Sequence, residues 1–484
     1  MFARVCLIII YLSSICLNSI AQLHPLYTYQ QLSDVYYSHE KDSLKKAWQC
    51  PDIYPAKATQ KKFREIWDDR TDFIITAIEK QNYVYEADVY NYLLGIVNQI
   101  AVANPGLFAQ QPLLLLDRSA SPNAYATGGN ILAVNLGLVH FSQSREELAL
   151  AIAHELSHNI LNHPENAMKE RAEWLSSDEY KNSLKNVLNS KYGRFSRLKE
   201  ILENYSFSRS RHQRYHESDA DSLAIILLKN CHIGFNAEYF LHLDSADIQY
   251  RQPLQKPLAD YFTAYGLTAN TDWMQVHSKG LSTKKYSFSD TSGIDDSLKT
   301  HPDCEERYKA TLAGSDKNAT VTPIPANVYN KATKMLIWNM FDDMQLTTCL
   351  YRILQEKDKG NKDEWYDFMM YNIFAGLYYN DKELHRFNAI GIIPKEYISK
   401  DYYQLQTMLE QMPAENLQQY CATLQNAGFW ASCTTDEKDL KKFITGLAAE
   451  SSNADKARRN SANDFINNNS TSMYCEFAAQ FKKN

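Results

Sequence analysis

Apolar residues in the first quarter of the chain fall mostly three and four apart. From Lys61 to about Ala103 they are Phe63, Ile66, Trp67, Phe73, Ile74 and Ile78, then Tyr90, Leu93, Leu94, Ile96, Val97 and Ile100, the spacing of amphipathic helices. The period then changes. PLLLLDR, from Pro112 to Arg118, is a short apolar run bounded by turn residues and reads as a buried strand. After SPNAYATGGN, with Gly128-Gly129 as a turn, Ile131 to Val139 reads as a second strand able to join the first in a small sheet. Ser144 with Glu147 three residues later forms a capping-box signal, so a helix begins there and runs through Leu148, Ile152 and Leu156 to about His163, where Pro164 follows.

Residues 165 to 214 are charged and helical in pattern. A further helix is expected to begin near His216 and to run through Ala220, Ala224, Ile225 and Leu228 until Gly234 stops it. Residues 242 to 300 are aromatic, polar and weakly periodic, which reads as a long surface insertion that rims or covers a cleft. TPIPAN, Thr322 to Asn327, is a break. Beyond it the helical patterns Ala332 to Leu354 and Trp365 to Tyr379, joined by EKDKGNKD, suggest a helical hairpin. This tail is rich in aromatics such as Trp338, Trp365, Tyr366, Tyr371, Tyr402 and Trp430, which either anchor partner interfaces or fill a core. No convincing repeat of about 34 residues recurs in it.

A chain of 484 residues is too long for one compact core, so two or three domains are expected. With 44% hydrophobic and 22% charged residues it reads as globular. The formal charge is −6, and Lys and Arg spread along the chain give no basic stripe, which argues against nucleic acid as a partner. Residues 1–21 have an early Arg4, an apolar run from Val5 to about Leu17, and small residues at Ser19 and Ala21, the layout of a cleaved secretory signal. No later segment reads as membrane-spanning. Removing the signal leaves seven cysteines with no CxxC spacing, so a cysteine-ligated metal is not indicated.

The chemistry concentrates in AIAHELSHNI, residues 151 to 160. On a helix, His154 and His158 share a face one turn apart and can aim ring nitrogens at one point. Zinc accepts two such nitrogens and leaves room for a third ligand and a water. Glu155 lies too far round to share that face, yet near enough to hold the water. Residue frequencies give H-E-x-x-H a chance expectation on the order of a few hundredths in such a chain, so coincidence stands as the alternative. HESDADSLAI adds Glu217 and Asp221, four apart, offering a ligand carboxylate and a second acid to accept the other N–H of a metal-bound imidazole. Ala220 between them permits close helix approach. The competing reading is a solvated acidic helix start.

Together these motifs resemble the zinc metallopeptidases of peptidase family M48, which includes HtpX-like, BepA-like and CAAX prenyl protease-like members. The resemblance covers roughly Glu86 to Ala313 and rests on PNAYATGGNI, GLV at Gly137 to Val139, EELALAIAHELSHNILNH, HESDAD, and THPDCEER at Thr300 to Arg307. It implies a mainly helical α+β fold: a gluzincin-type catalytic domain with a small sheet and the HExxH helix, then an α-helical C-terminal domain. It implies one zinc ion per chain held by His154, His158 and Glu217, with Glu155 as base and Asp221 behind the ligands. His301 and Arg307 would lie near the substrate, either able to face the oxyanion.

Substrate backbone would add along the strand holding Ile131, Ala133 and Asn135, with Asn123 nearby. Departures are small: Gly128 stands where some relatives have proline, and Asp219 where glutamate is common. Pro164, six residues after His158, rules out a metzincin pattern, and His163 is expected to be structural or to support a ligand. The expected layout is a signal at 1–21, a peptidase domain at 22–322 with its motif core at 86–313, and a helical, partner-binding domain at 328–484. The expected activity is zinc-dependent endopeptidase action on misfolded or misassembled envelope proteins, in a Gram-negative periplasm or, alternatively, after secretion. A zinc-retaining chaperone with weak proteolysis is the main rival, and an interaction protein with an accidental HELSH the other.

Overall fold

The computed structural model describes residues 26–32, 37–108, 110–190, 192–275, 304–316, 320–448 and 454–482. The signal segment, residues 282 to 295 of the expected lid, and His301 lie outside them.

Helices α1 (Ser38–Ala47), α2 (Lys57–Glu79) and α3 (Ala87–Ala103) lead into three short strands, β1 (Leu113–Asp117), β2 (Ala124–Gly128) and β3 (Ile131–Asn135). Their order is β1-β3-β2, with β3 parallel to β1 and antiparallel to β2. Left-handed Gly128, Gly129 and Asn130 turn β2 into β3, a conformation in which glycine and asparagine carry the least strain. The SPNAYATGGN segment is therefore a strand as well as a turn. The second strand stops at Asn135, and Leu136–Phe141 coil into helix α4. Gly137 permits this turn, because a Cβ there would lie 2.2 Å from the Ala120 carbonyl oxygen.

Ser144 accepts a hydrogen bond from the Glu147 N–H and starts α5 (Arg145–Ile160) as its spacing predicts. That helix ends earlier than expected. Asn162 takes a left-handed conformation, φ 54°, and His163 opens α6 (His163–Ser176), with Pro164 tolerated in its first turn. Next come α7 (Asp178–Asn189) and α8 (Arg194–Asn230), a single helix of 37 residues. The helix expected to begin near His216 is its final third, so Glu217 and Asp221 sit mid-helix and not at an exposed start.

After α9 (Glu238–Asp244), the described part of the expected insertion holds α10 (Leu258–Thr263) and short 3-10 turns. It is strapped to the tail: Tyr351 donates to the Gln252 carbonyl at 2.6 Å, the Leu254 N–H to Asp401 at 2.9 Å, and Tyr420 to the Thr268 carbonyl at 2.8 Å. Helix α11 (Cys304–Thr311) follows. The Thr322 break is pinned to the start of α5, donating its N–H to Glu146 and accepting from Arg145 N–H, both at 2.8 Å. Beyond it lie α12 (Ala326–Asp342), α13 (Leu346–Asp358), α14 (Trp365–Lys382), α15 (Arg386–Ile390), α16 (Lys400–Gln411), α17 (Ala414–Gln425), α18 (Thr435–Leu447), α19 (Ala454–Asn468) and α20 (Cys475–Gln480).

One hydrophobic core runs from β1 and β3 through α5 into these tail helices. Trp338, Tyr366, Tyr371 and Tyr402 are almost completely buried in it, and Trp365 and Trp430 nearly so. These aromatics fill the core and are not displayed to partners. No helix among the described residues is long and apolar enough to cross a membrane.

Glu476 ties the chain ends to the sheet. Its buried carboxylate accepts from Tyr27 at 2.7 Å, from Arg118 just after β1 at 2.9 Å, and from the Trp338 indole. Burial raises its pKa, while Arg118 opposes that rise. Removing the acid would leave Arg118 buried without its counter-charge. Glu476→Ala is therefore expected to cost about 3–5 kcal/mol of stability in equilibrium denaturant unfolding. A loss below about 1 kcal/mol would show that the pair does not hold the fold.

Candidate metal centre

Helix α5 lies between the sheet and α8. Asn159 on α5 donates to the Ile131 carbonyl at 2.9 Å, and Glu155 accepts from the Ala126 N–H at 2.9 Å, which fixes the helix against β3 and β2. On its other side α8 packs along it. Ala220 and Ala224 of α8 are completely buried, as are Ala149 and Ala153 of α5. Small side chains let the helices approach closely.

That approach brings Glu217 to the two histidines. His154 Nε2 is 3.1 Å from His158 Nε2 and 3.2 Å from Glu217 Oε2, and His158 Nε2 is 3.5 Å from Glu217 Oε1. Ligands bound tetrahedrally at 2.0–2.1 Å from zinc stand about 3.3 Å apart. The three side chains thus present two imidazole nitrogens and a carboxylate at the separations a zinc ion requires, and the donor chemistry fits that metal. His154 and Glu217 are buried and His158 is half-buried.

Each imidazole is oriented from behind. His154 Nδ1 is 2.9 Å from Asp221 Oδ1, so its proton sits on Nδ1 and Nε2 keeps a lone pair for the cluster. Asp221 is gripped by Arg307 through two bonds, Nε to Oδ2 at 2.8 Å and Nη2 to Oδ1 at 2.6 Å. The Arg307 guanidinium lies 4.4 Å over the Phe240 ring. Burial and Arg307 disfavour a charged His154, but hydrogen bonds to Asp221 and Glu217 outweigh them and raise its pKa to about 9. The cluster calls for a cation.

His158 turns its Nδ1 to His163 Nδ1 at 2.9 Å, and His163 stacks on His216 with ring centroids 4.2 Å apart. Burial and the neighbouring His216 hold His163 down to about 4, so it is neutral near pH 7 and can accept the His158 Nδ1–H. The pairing was hard to anticipate, because His163 follows a helix break that sequence reasoning ran through.

Other expectations change. Arg307 does not face a substrate position; its donors are spent on Asp221, behind His154. Ile131, Ala133 and Asn135 cannot take an added strand, because β3 is the central strand, paired on both edges. Asn135 instead donates through Nδ2 to the Ser121 carbonyl at 3.1 Å, and its backbone N–H bonds the Asn123 carbonyl at 3.0 Å. Both asparagines shape the loop entering the sheet. Among the described residues, the sheet edge that pairs with no strand and lies beside Glu155 belongs to β2.

Removing the imidazole behind His158 while keeping all three ligands isolates its orienting effect. His163→Ala is expected to weaken zinc affinity about 10–100-fold in chelator competition, with circular dichroism unchanged. An unchanged affinity would show that His158 needs no such support.

Compared with curated proteins, the chain matches none. Residues 91–313 match the model of peptidase family M48, a span that contains β1 to β3, the HELSH helix, Glu217, Asp221 and Arg307. These are the segments that build the cluster. The chain carries a metallopeptidase domain of peptidase family M48.

Proposed function

We propose that the chain is a zinc-dependent endopeptidase in which His154, His158 and Glu217 hold the ion and Glu155 is the general base. The observation that carries this reading is the trio of ligand atoms, all within 4.8 Å of one another, beside an acid that is not one of them. Bound there, zinc supplies Lewis acidity and lowers the pKa of a coordinated water toward about 7. The remaining work falls to the chain.

Glu155 takes the proton from the attacking water and returns it to the leaving amine, the two transfers a single carboxylate can perform in sequence. Its hydrogen bond from the Ala126 N–H aims it at the open edge of β2. An extended substrate segment laid along that edge bonds through its backbone, giving affinity with little side-chain preference. Asp221 with Arg307, and His163 with His216, keep both imidazoles turned for ligation throughout the cycle. With Arg307 committed elsewhere, His301 is the candidate donor to the developing oxyanion. The expected signal at residues 1–21 and this backbone-directed mode together suit extended segments of misfolded or misassembled envelope proteins.

Glu155→Gln should lower hydrolysis of an unstructured peptide by about 10²–10⁴-fold while zinc content, measured by atomic absorption, stays near that of the parent. Substantial hydrolysis by the zinc-loaded variant would exclude Glu155 as base. Glu217→Ala should lose metal on dialysis against a weak chelator. Full retention would assign the third ligand elsewhere, with His163 or His216 nearest.

A further inference from the structure

The even spread of Lys and Arg over the whole chain conceals one local exception. Between Glu179 and Glu200 there is no acidic residue, in a protein whose formal charge is −6. This stretch is the tip of the hairpin formed by α7 and α8. Lys185, Arg194 and Arg197 are exposed there, and so is Lys199. Beside them the chain displays large apolar groups: Leu188 is 60% exposed, Tyr192 77% and Phe195 82%.

Packing within the protein does not account for these three. The inward face of α7 is made by Tyr180, Leu184 and Val187, and Tyr180 packs on Trp174 with ring centroids 4.4 Å apart. Leu188 lies off that face. Tyr192 precedes the left-handed Gly193 at the turn, and Phe195 lies in the first turn of α8. The tip is convex, with no groove to receive a peptide.

Exposed aromatic and aliphatic side chains set among cations, with anions removed, suit one surface in particular. At a lipid headgroup layer the rings enter the interfacial zone and the basic groups meet phosphates. A nucleic acid would satisfy the cations and leave Leu188 and Phe195 in water. We infer that the α7–α8 tip docks the protein peripherally on an anionic phospholipid membrane. Helix α8 continues from this tip to the metal cluster, and at 1.5 Å per residue the stretch from Phe195 to Glu217 is about 33 Å long. Docking therefore holds the cluster at a fixed stand-off from the bilayer, where segments of proteins emerging from it can reach the β2 edge.

The test is flotation of the full chain with vesicles of phosphatidylcholine alone or mixed with phosphatidylglycerol. The protein is expected to float only with the anionic vesicles and to be released by high salt. Each cation near such a surface contributes about a factor of five at low salt, so Arg194→Gln/Arg197→Gln should weaken partitioning roughly thirtyfold. Tyr192→Ser/Phe195→Ser should abolish flotation while a soluble peptide is hydrolysed at the parental rate, since neither residue touches the cluster. Failure of the parent to float, or equal flotation of the serine variant, overturns the inference. So does a concentration-dependent dimer in ultracentrifugation that the serine variant converts to monomer, which would assign the tip to a second copy of the chain.

Discussion

Arg307 and Asp221 form a buried, two-bonded ion pair, and His154 leans on it through Nδ1. Three helices meet there: α5 carries His154, α8 carries Asp221, and α11 carries Arg307. Two buried charges are tolerable only if each finds the other with good geometry, so the pair specifies how these helices must pack. Once they do, Glu217, one turn from Asp221 on α8, has no choice but to face the histidines. The metal cluster is the outward consequence of an inward electrostatic requirement.

The same logic recurs on the far side of the sheet. Arg118, just after β1, meets Glu476 from the last helix together with Tyr27 and Trp338. The strand on which the sheet is built is thereby fastened to the helical tail, and the tail's aromatic core is continuous with the apolar side of α5. A site whose ligand atoms must hold positions to a few tenths of an ångström gains from such a scaffold. Its base, Glu155, is referenced to β2 by the Ala126 N–H, so the group that moves the proton and the edge that receives the substrate are positioned by one contact.

What the sequence revealed depended on range. The Ser144 cap, the two histidines four apart, and Glu217 with Asp221 four apart are local patterns dictated by helix geometry, and each sits where its spacing requires. Features that depend on contacts between distant segments were harder to read. The end of β3 at Asn135 depends on Gly137 passing close to Ala120, and nothing in ILAVNLGLV marks it. The all-apolar run of β3 fits a central strand as well as a substrate-binding one, and only pairing with both neighbours decides the matter. Arg307 looked like a substrate donor because a charged residue in a motif invites that role; the acid it serves is 86 residues away in the chain. The break at Asn162 is a left-handed residue, invisible to periodicity, and it is what returns His163 to His158.

The account's central claim is that the metal is held by two imidazoles and a carboxylate, with His163 and His216 outside the coordination sphere. X-ray absorption at the zinc edge of the loaded protein tests this directly. It should show only nitrogen and oxygen neighbours at about 2.0–2.1 Å, with outer-shell scattering that fits two imidazoles and stays unchanged in His216→Ala. Scattering that requires three imidazoles, or a sulfur neighbour at about 2.3 Å, would contradict it.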